Sequence, residues 1–387
     1  MGWLKRLFLD RERFWIFAAA LLSVVALRKG FNKPLRWAAT QAQVDYSHGF
    51  IKRGLFGAVV TRPLGLEHYA RFAVVSTLLL LLLLGLFAAF AKRTGMIARC
   101  GSAMPLAVFG ASFAVTFLGN LNGYMDIPLG ILTVLVLMVK DMGKRALLAV
   151  PVVIVAILIH EIFLLVFLPV IVLSFVVQGM FAATVRERRW ALLAGAGVLV
   201  LAGAVTVGTA ARASRTPQSA EMLRDEITKR VDFKVDPLFF DVFTRSAMDN
   251  VKIMKERSTQ REWRMAQVGS WMILLPAAGL LLTIAYRLLR LNAAGRRWGL
   301  ALGACVVATL MPLSMNALGW DVGRWYALAG VAGFLSLGVV CLHVPGPELD
   351  GQEGFERAAI LSIALEMAAG GFLMDTLMRM YPFVGGG

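Results

Sequence analysis

Charge is what this chain has least of. Only 17% of its 387 residues are charged, against 58% that are hydrophobic, and its mean hydropathy is +0.71. That balance excludes a soluble globule and implies a polytopic membrane protein. Cysteine is scarce too. Cys100, Cys305 and Cys341 are scattered in or beside apolar segments, so they supply neither a disulfide framework nor a metal-ligand spacing. The glycine fingerprint of a nucleotide-binding βαβ unit is missing, and no internal repeat is visible. Negative charge is also short: 24 Asp and Glu face 40 Lys and Arg, for a formal net charge of +16. In a chain this apolar, the excess is read as basic loops meeting anionic lipid headgroups, and an anionic substrate, rather than nucleic acid.

Long hydrophobic runs are abundant. A basic start (Lys5, Arg6, Arg11, Arg13) leads into apolar residues 14–27. No small-x-small cleavage pattern follows, so an uncleaved first membrane helix is expected. Further spans are predicted at 72–90, 102–118, 127–139, 190–208, 269–286, 298–315, 324–342 and 358–375. Residues 146–178 form one apolar block broken by His160 and Glu161. A straight helix of that length would reach about 50 Å across a hydrocarbon core of about 30 Å. Two helices meeting at His160-Glu161 are therefore expected, with Pro151 and Pro169 allowing bends. The reading is an all-α protein of about eleven membrane helices. It has two long loops, 28–71 and 209–268, both expected to contain interfacial helices. The chain divides into a membrane module at 1–208, an amphipathic loop at 209–268 and further membrane helices at 269–387. Gly195, Gly197 and Gly203 are expected to allow close helix packing.

The short loops at 92–99, 140–145, 186–189 and 287–297 are rich in Lys and Arg, whereas the turns at 120–126 and 316–323 contain none. The positive-inside rule puts the first group in the cytoplasm and the second outside. The N-terminus is then inside and both long loops are outside.

Residues 45–57 hold more chemistry than a connecting loop needs: one carboxylate (Asp45), one imidazole (His48), adjacent cations (Lys52, Arg53) and three glycines. Asp45 is read as a catalytic carboxylate, with Lys52 and Arg53 beside a phosphate-bearing substrate. The same topology brings three other polar clusters to the outer side: Tyr124 with Asp126, His160 with Glu161, and Asp321 with Arg324. A charge at the bilayer centre costs about 2.5–3.5 kcal/mol on insertion scales, so four clusters on one side point to a shared polar cavity. Each also has a plainer reading. Asp126 can serve as a favourable anion at a helix start, Asp321 and Arg324 can pair with each other, and His160-Glu161 can fix a hairpin apex. Glu366, alone within the last span, is given no role.

An early Asp in a long loop after the first span, followed by an acidic residue in the outer turn before the fourth, resembles the layout of the GT-C superfamily of membrane glycosyltransferases. The resemblance covers about the first half of the chain and lacks the paired acidic motif of some members. It implies transfer of a sugar from a polyprenyl phosphate or pyrophosphate carrier to a glycan, lipid or protein acceptor. The active site would face the periplasm of a bacterial inner membrane. Asp45 would act as base or acceptor organiser, and Asp126 would be the second acid. A divalent metal at Asp126 is left open, and no other cofactor is implied. His160 is an alternative base and Glu161 its orienting partner. Tyr124, His48, Lys52, Arg53, Asp321 and Arg324 are the substrate-binding candidates. An O-antigen polymerase or ligase, which relies on a large later loop such as 209–268, is the nearest alternative. A lipid-sugar flippase or transporter is a further one.

Overall fold

The computed structural model describes residues 10–47, 49–215, 220–245, 247–292, 297–319, 321–346, 348–349 and 351–380. The described residues are helical wherever they are regular, and no strand occurs among them. Helix α1 is Arg11–Gly30 and α2 is the short Arg36–Ala42. A π-turn at Gly57–Thr61 leads to α3, Tyr69–Arg93. Then come α4 Met104–Ala111, α5 Phe113–Asn120 and α6 Asp126–Leu137. Helix α7 is Met142–Ile159, α8 is Phe163–Met180 and α9 is Val185–Arg215. The second long loop supplies α10 Ala220–Arg230, α11 Pro237–Thr244 and α12 Ala247–Ser258. The chain ends in α13 Arg261–Asn292, α14 Arg297–Leu310, α15 Val322–His343 and α16 Gln352–Met380.

Among the described residues, seven helices are long and apolar enough to cross a membrane: α3, α7, α8, α9, α13, α14 with the 3-10 turn after it, and α15. The protein is thus an all-α, membrane-embedded chain. The other four predicted spans are helical but different in kind. Helix α1 carries Arg11, Glu12, Arg13, Arg28 and Lys29 at its ends. The third predicted span is broken at Ser112 into α4 and α5, of 8 residues each. Helix α6 has 12 residues, about 18 Å of rise, and cannot span the core alone. Helix α16 carries Glu366.

The apolar block at 146–178 divides as expected. Asp141 caps α7 by accepting the Lys144 amide at 2.8 Å, and the helix runs 18 residues to Ile159. His160 is extended (φ −166°) and starts the turn into α8.

Helix α15 is the axis of the bundle. Its apolar window is 94% buried, and it packs on α13, α14, α8 and α5. A helix apolar on every face belongs inside such a bundle. Small residues let its neighbours approach: a Cβ at Gly338 would lie 2.2 Å from the Phe90 ring. Phe334 stacks on Phe109 with centroids 4.2 Å apart, and Phe87 meets both edge-on. On α9, Gly195 does pack on Phe175, but Gly197 and Gly203 have open space where a Cβ would go. They are not contact glycines.

Polar contacts sort the connections into two ends, as the charge alternation implied. At one end, Arg11 and Trp15 bond to Glu356, Arg99 donates to the Gly346 carbonyl and Arg145 meets His343. At the other, Asn32 bonds to Asn120, Arg53 to Glu161, and Asp126 to Arg324. The candidate residues among the described ones lie at this second end.

Candidate functional site

The loop at 45–57 is folded back on the end of α2. Thr61 donates its hydroxyl to the Ala42 carbonyl at 2.6 Å, and a Cβ on Gly57 would lie only 2.0 Å from the Val44 carbonyl oxygen. Glycine at 57 is what allows this approach. The loop then packs on the second long loop through Val44, Ile51, Leu223, Ile227, Phe239, Phe240 and Phe243. The two long loops therefore form one apolar unit.

Asp45 is buried within that unit and its carboxylate is fully engaged. Its Oδ2 accepts from Arg62 Nε and from an Arg230 terminal nitrogen, each at 2.7 Å. Its Oδ1 accepts the Ser47 amide at 2.9 Å and also the Ser47 hydroxyl. Burial pushes the carboxyl pKa up, but the Ser47 hydrogen bonds and the charges of Arg230 and Arg62 prevail and hold it below the usual carboxylate range. Charge-assisted bonds of this kind tie a loop down firmly. Arg230 also reaches the Gln43 carbonyl, so it clamps the first loop to α10.

Eight residues further on, the same loop reaches a different partner. Arg53 has a left-handed backbone (φ +63°), which costs a non-glycine residue about 1–2 kcal/mol. Its guanidinium is held in a fork by Glu161, with Nε to Oε2 at 2.8 Å and a terminal nitrogen to Oε1. Lys52 and Arg53 both lie over the Phe243 ring, at 5.3 Å and 5.6 Å from its centroid. Burial alone would raise the Glu161 pKa, but the charge and the hydrogen bonds of Arg53 depress it strongly, so it is a carboxylate at any physiological pH. Burial lowers the Lys52 pKa, helped by Arg53 and opposed by Glu161.

His160 is buried beside this pair. Its Nδ1 accepts the Ile162 amide at 3.1 Å, which requires a lone pair on Nδ1. Burial, then the charge of Arg53, pulls its pKa well below the ordinary value. The ring is therefore neutral with its proton on Nε2, and it presents a donor.

The third group lies where α6 and α15 begin. Asp126 is 0% exposed, and its Oδ2 accepts from Arg324 at 2.8 Å. Arg324 also donates to Asp321 Oδ2 at 3.3 Å. Its guanidinium carbon lies 5.0 Å from the Tyr124 ring centroid and 4.9 Å from that of Trp325. Asp126 Oδ1 and Arg324 Nε have no hydrogen-bond partner although both are buried. Burial raises the Asp321 pKa, against the pull of Arg324, and burial also raises that of the Tyr124 hydroxyl, with Asp321 adding to it. Residues Phe163–Val166, just after Glu161, pack on α15, the helix that carries Arg324, so this group lies at the same end of the bundle as the Arg53–Glu161 pair.

Eight of the ten sequence-chosen residues thus fall in two groups at the same end of the bundle: Lys52, Arg53, His160 and Glu161 in one, and Tyr124, Asp126, Asp321 and Arg324 in the other. Asp45 is set apart, since its partners Ser47, Arg62 and Arg230 belong to none of these pairs. His48 lies outside the described residues. Sequence reading missed Arg62, Arg230 and Phe243. A buried Asp45 demands a cation, but nothing in the spacing says that one comes from 185 residues downstream. Among the described residues, no group of three or more His, Cys, Asp or Glu is arranged to hold a metal ion. At Asp126, the site raised for a metal, the nearest carboxylate, Asp321, shares Arg324 with it. A guanidinium already occupies the place a cation would take, so these residues do not fit a resident metal. No family model, curated protein or solved structure matches the chain.

Proposed function

We propose that this chain is a membrane glycosyltransferase. It moves a sugar from a polyprenyl phosphate- or pyrophosphate-linked donor to a glycan, lipid or protein acceptor, on the periplasmic face of a bacterial inner membrane. One observation carries the reading: Lys52, Arg53 and Arg324 lie at one end of a membrane bundle, where Arg324 pairs with Asp126, a carboxylate whose other oxygen is unpartnered. The cations suit the phosphate of a lipid carrier, with which guanidinium makes forked hydrogen bonds. As the acceptor oxygen attacks the anomeric carbon, the bond to the carrier phosphate breaks. Negative charge grows on the departing phosphate and is stabilised by preset cations. The acceptor proton goes to a carboxylate acting as general base.

The base in this scheme is Asp126. Its Oδ1 is unpartnered, whereas both oxygens of Asp45 are held by guanidinium or Ser47. Asp45 is accordingly assigned to docking the two loops. His160 offers its Nε2–H to a sugar or phosphate oxygen. Glu161 aims Arg53, and the strained Arg53 backbone is consistent with a residue fixed for function. No step is routed through a metal. In purified full-length protein, Lys52→Ala and Arg324→Lys should raise the concentration of polyprenyl-phosphate sugar needed for half-maximal transfer, with folding retained. Unchanged donor dependence in both would reduce these cations to headgroup anchors.

A second reading, a lipid-sugar flippase or transporter, draws support from one feature. The third membrane segment is broken at Ser112 in midcourse, as in transporters whose half-helices bind substrate. Transfer of sugar by detergent-solubilised protein, without a membrane to cross, separates the two.

A further inference from the structure

The break at Ser112 has a partner that the proposed transfer does not use. Phe113 opens α5, and its amide donates to Glu366 Oε2 on α16 at 3.0 Å. The Ala277 amide on α13 also lies within reach of this carboxyl. Glu366 is 2% exposed, and its other oxygen, Oε1, has no partner. Among the described residues, no cation is hydrogen-bonded to it or paired with it. An ionised carboxylate placed so deep among apolar helices is costly unless it is paired or protonated.

Two cavities adjoin Glu366. One, of about 40 Å³, is bounded by Leu22, Val25 and Lys29 of α1, by Phe113 and Thr116 of α5, and by Glu366. The other, of about 10 Å³, lies between Phe113, Ala277, Tyr326, Gly330 and Glu366. A water needs about 10–15 Å³ and two to four polar partners, so the larger has room for about three to four waters and the smaller for about one. The larger has a polar group at each side, Lys29 and Glu366, and Val25 and Met367 on its wall are 43% and 47% exposed. It therefore opens on the outside of the bundle. In the smaller, Tyr326 donates its hydroxyl to Gln267 at 2.8 Å, and Gln267 donates to Asn316 at 3.0 Å. A polar path thus runs from Lys29 past Glu366 toward the 316–323 turn.

We propose that Glu366 is a proton-binding site within the membrane, filled and emptied through the crevice between α1, α5 and α16. The chemistry is an apolar-walled carboxyl with one oxygen anchored by a helix N-terminus and the other open to a hydrated cavity. The titratable groups facing it are Lys29 from α1 and Tyr326 from α15. Helix α13 brings Ile273, Leu274 and Ala277, and α4 and α5 bring only the hydroxyls of Ser112 and Thr116. Protonation of Glu366 leaves the Phe113 bond intact and gives Oε1 a donor for the cavity. The site goes beyond sugar transfer and does not depend on it.

Dicyclohexylcarbodiimide tests it, because that reagent enters from the apolar phase and reacts with protonated carboxyls. The acid adds across the carbodiimide and rearranges to a stable N-acylurea, so the modified peptide gains the whole mass of the reagent. In the detergent-solubilised full chain, mass spectrometry should find Glu366 modified at neutral pH. Above the midpoint, labelling should fall about tenfold per pH unit, with the protonated fraction. Glu366→Gln should lack the adduct. A protonated-carboxyl C=O stretch in the infrared spectrum of the wild type, absent from Glu366→Gln, should titrate with the same midpoint. No adduct at Glu366 together with no such band would overturn the proposal, as would labelling indifferent to pH. Protection by sodium or lithium ions at constant pH would also overturn it, in favour of a metal-cation site.

Discussion

Asp45→Asn separates anchoring from catalysis, because the substitution keeps the shape and removes the charge. In the wild type, Asp45 Oδ2 meets two guanidiniums at 2.7 Å each. The Asp45 side chain is 4% exposed and that of Arg230 is 23% exposed. Removing one partner of such a buried pair costs about 3–5 kcal/mol. Arg62 is 49% exposed, so its share is about 0–1 kcal/mol after solvent screening. Asn still offers one oxygen to a donor, so the net loss should fall near 2–4 kcal/mol, weighted toward Arg230. Thermal unfolding in detergent should show a lowered midpoint for Asp45→Asn. The double variant Asp45→Asn/Arg230→Gln should recover part of it, since the orphaned cation is then gone. Any residual transfer should track the amount of folded protein. A variant of wild-type stability that had lost transfer would refute this reasoning and return the catalytic role to Asp45.

Other expectations follow from the same geometry. Glu161→Gln should weaken donor use about as much as Arg53→Ala, because a neutral amide cannot hold the guanidinium fork. The depressed Glu161 pKa means that its stabilising contribution is complete above its ordinary value of 4.5 and is lost only as pH falls below that toward the folded value. His160 acts in the same direction but in a higher window. Its folded pKa lies below the ordinary 6.5, so the unfolded chain takes up the proton first. Stability should then drop on acidification from about pH 6.5, by up to about 1.4 kcal/mol per pH unit. Chemical denaturation as a function of pH should show that component vanish in His160→Gln. Gly338→Val should destabilise by about 1–3 kcal/mol through overpacking against Phe90, measurable as a lower unfolding midpoint.

What the sequence made legible was set by strong, local signals. Apolar runs located the helices, and length against bilayer thickness split 146–178 at the residues where the turn occurs. Loop charge grouped the connections at the two ends they occupy. The break at Ser112 escaped notice because residues 102–118 carry no charge and a lone serine does not mark a break, and the element that answers the freed Phe113 amide, Glu366, comes 253 residues later. The same distance problem hid Arg230 from Asp45. Residue type indicated Asp126, Arg324, Glu161 and Arg53 as polar groups needing partners. Which cation took which carboxylate depended on packing: Arg324 bonds Asp126 on another helix more closely than Asp321 in its own first turn.

The assignment of sugar transfer with Asp126 as base comes down to one comparison. Purified full-length wild type and Asp126→Asn would each be given a polyprenyl-phosphate-linked sugar with candidate acceptors, and release of the free carrier phosphate followed over time. Loss of a general base typically costs 10²–10⁴-fold, so the wild type should release carrier and Asp126→Asn should be slower by about that factor, at comparable folded content. Equal release by the two proteins, or none by a well-folded wild type with any donor, would contradict the account.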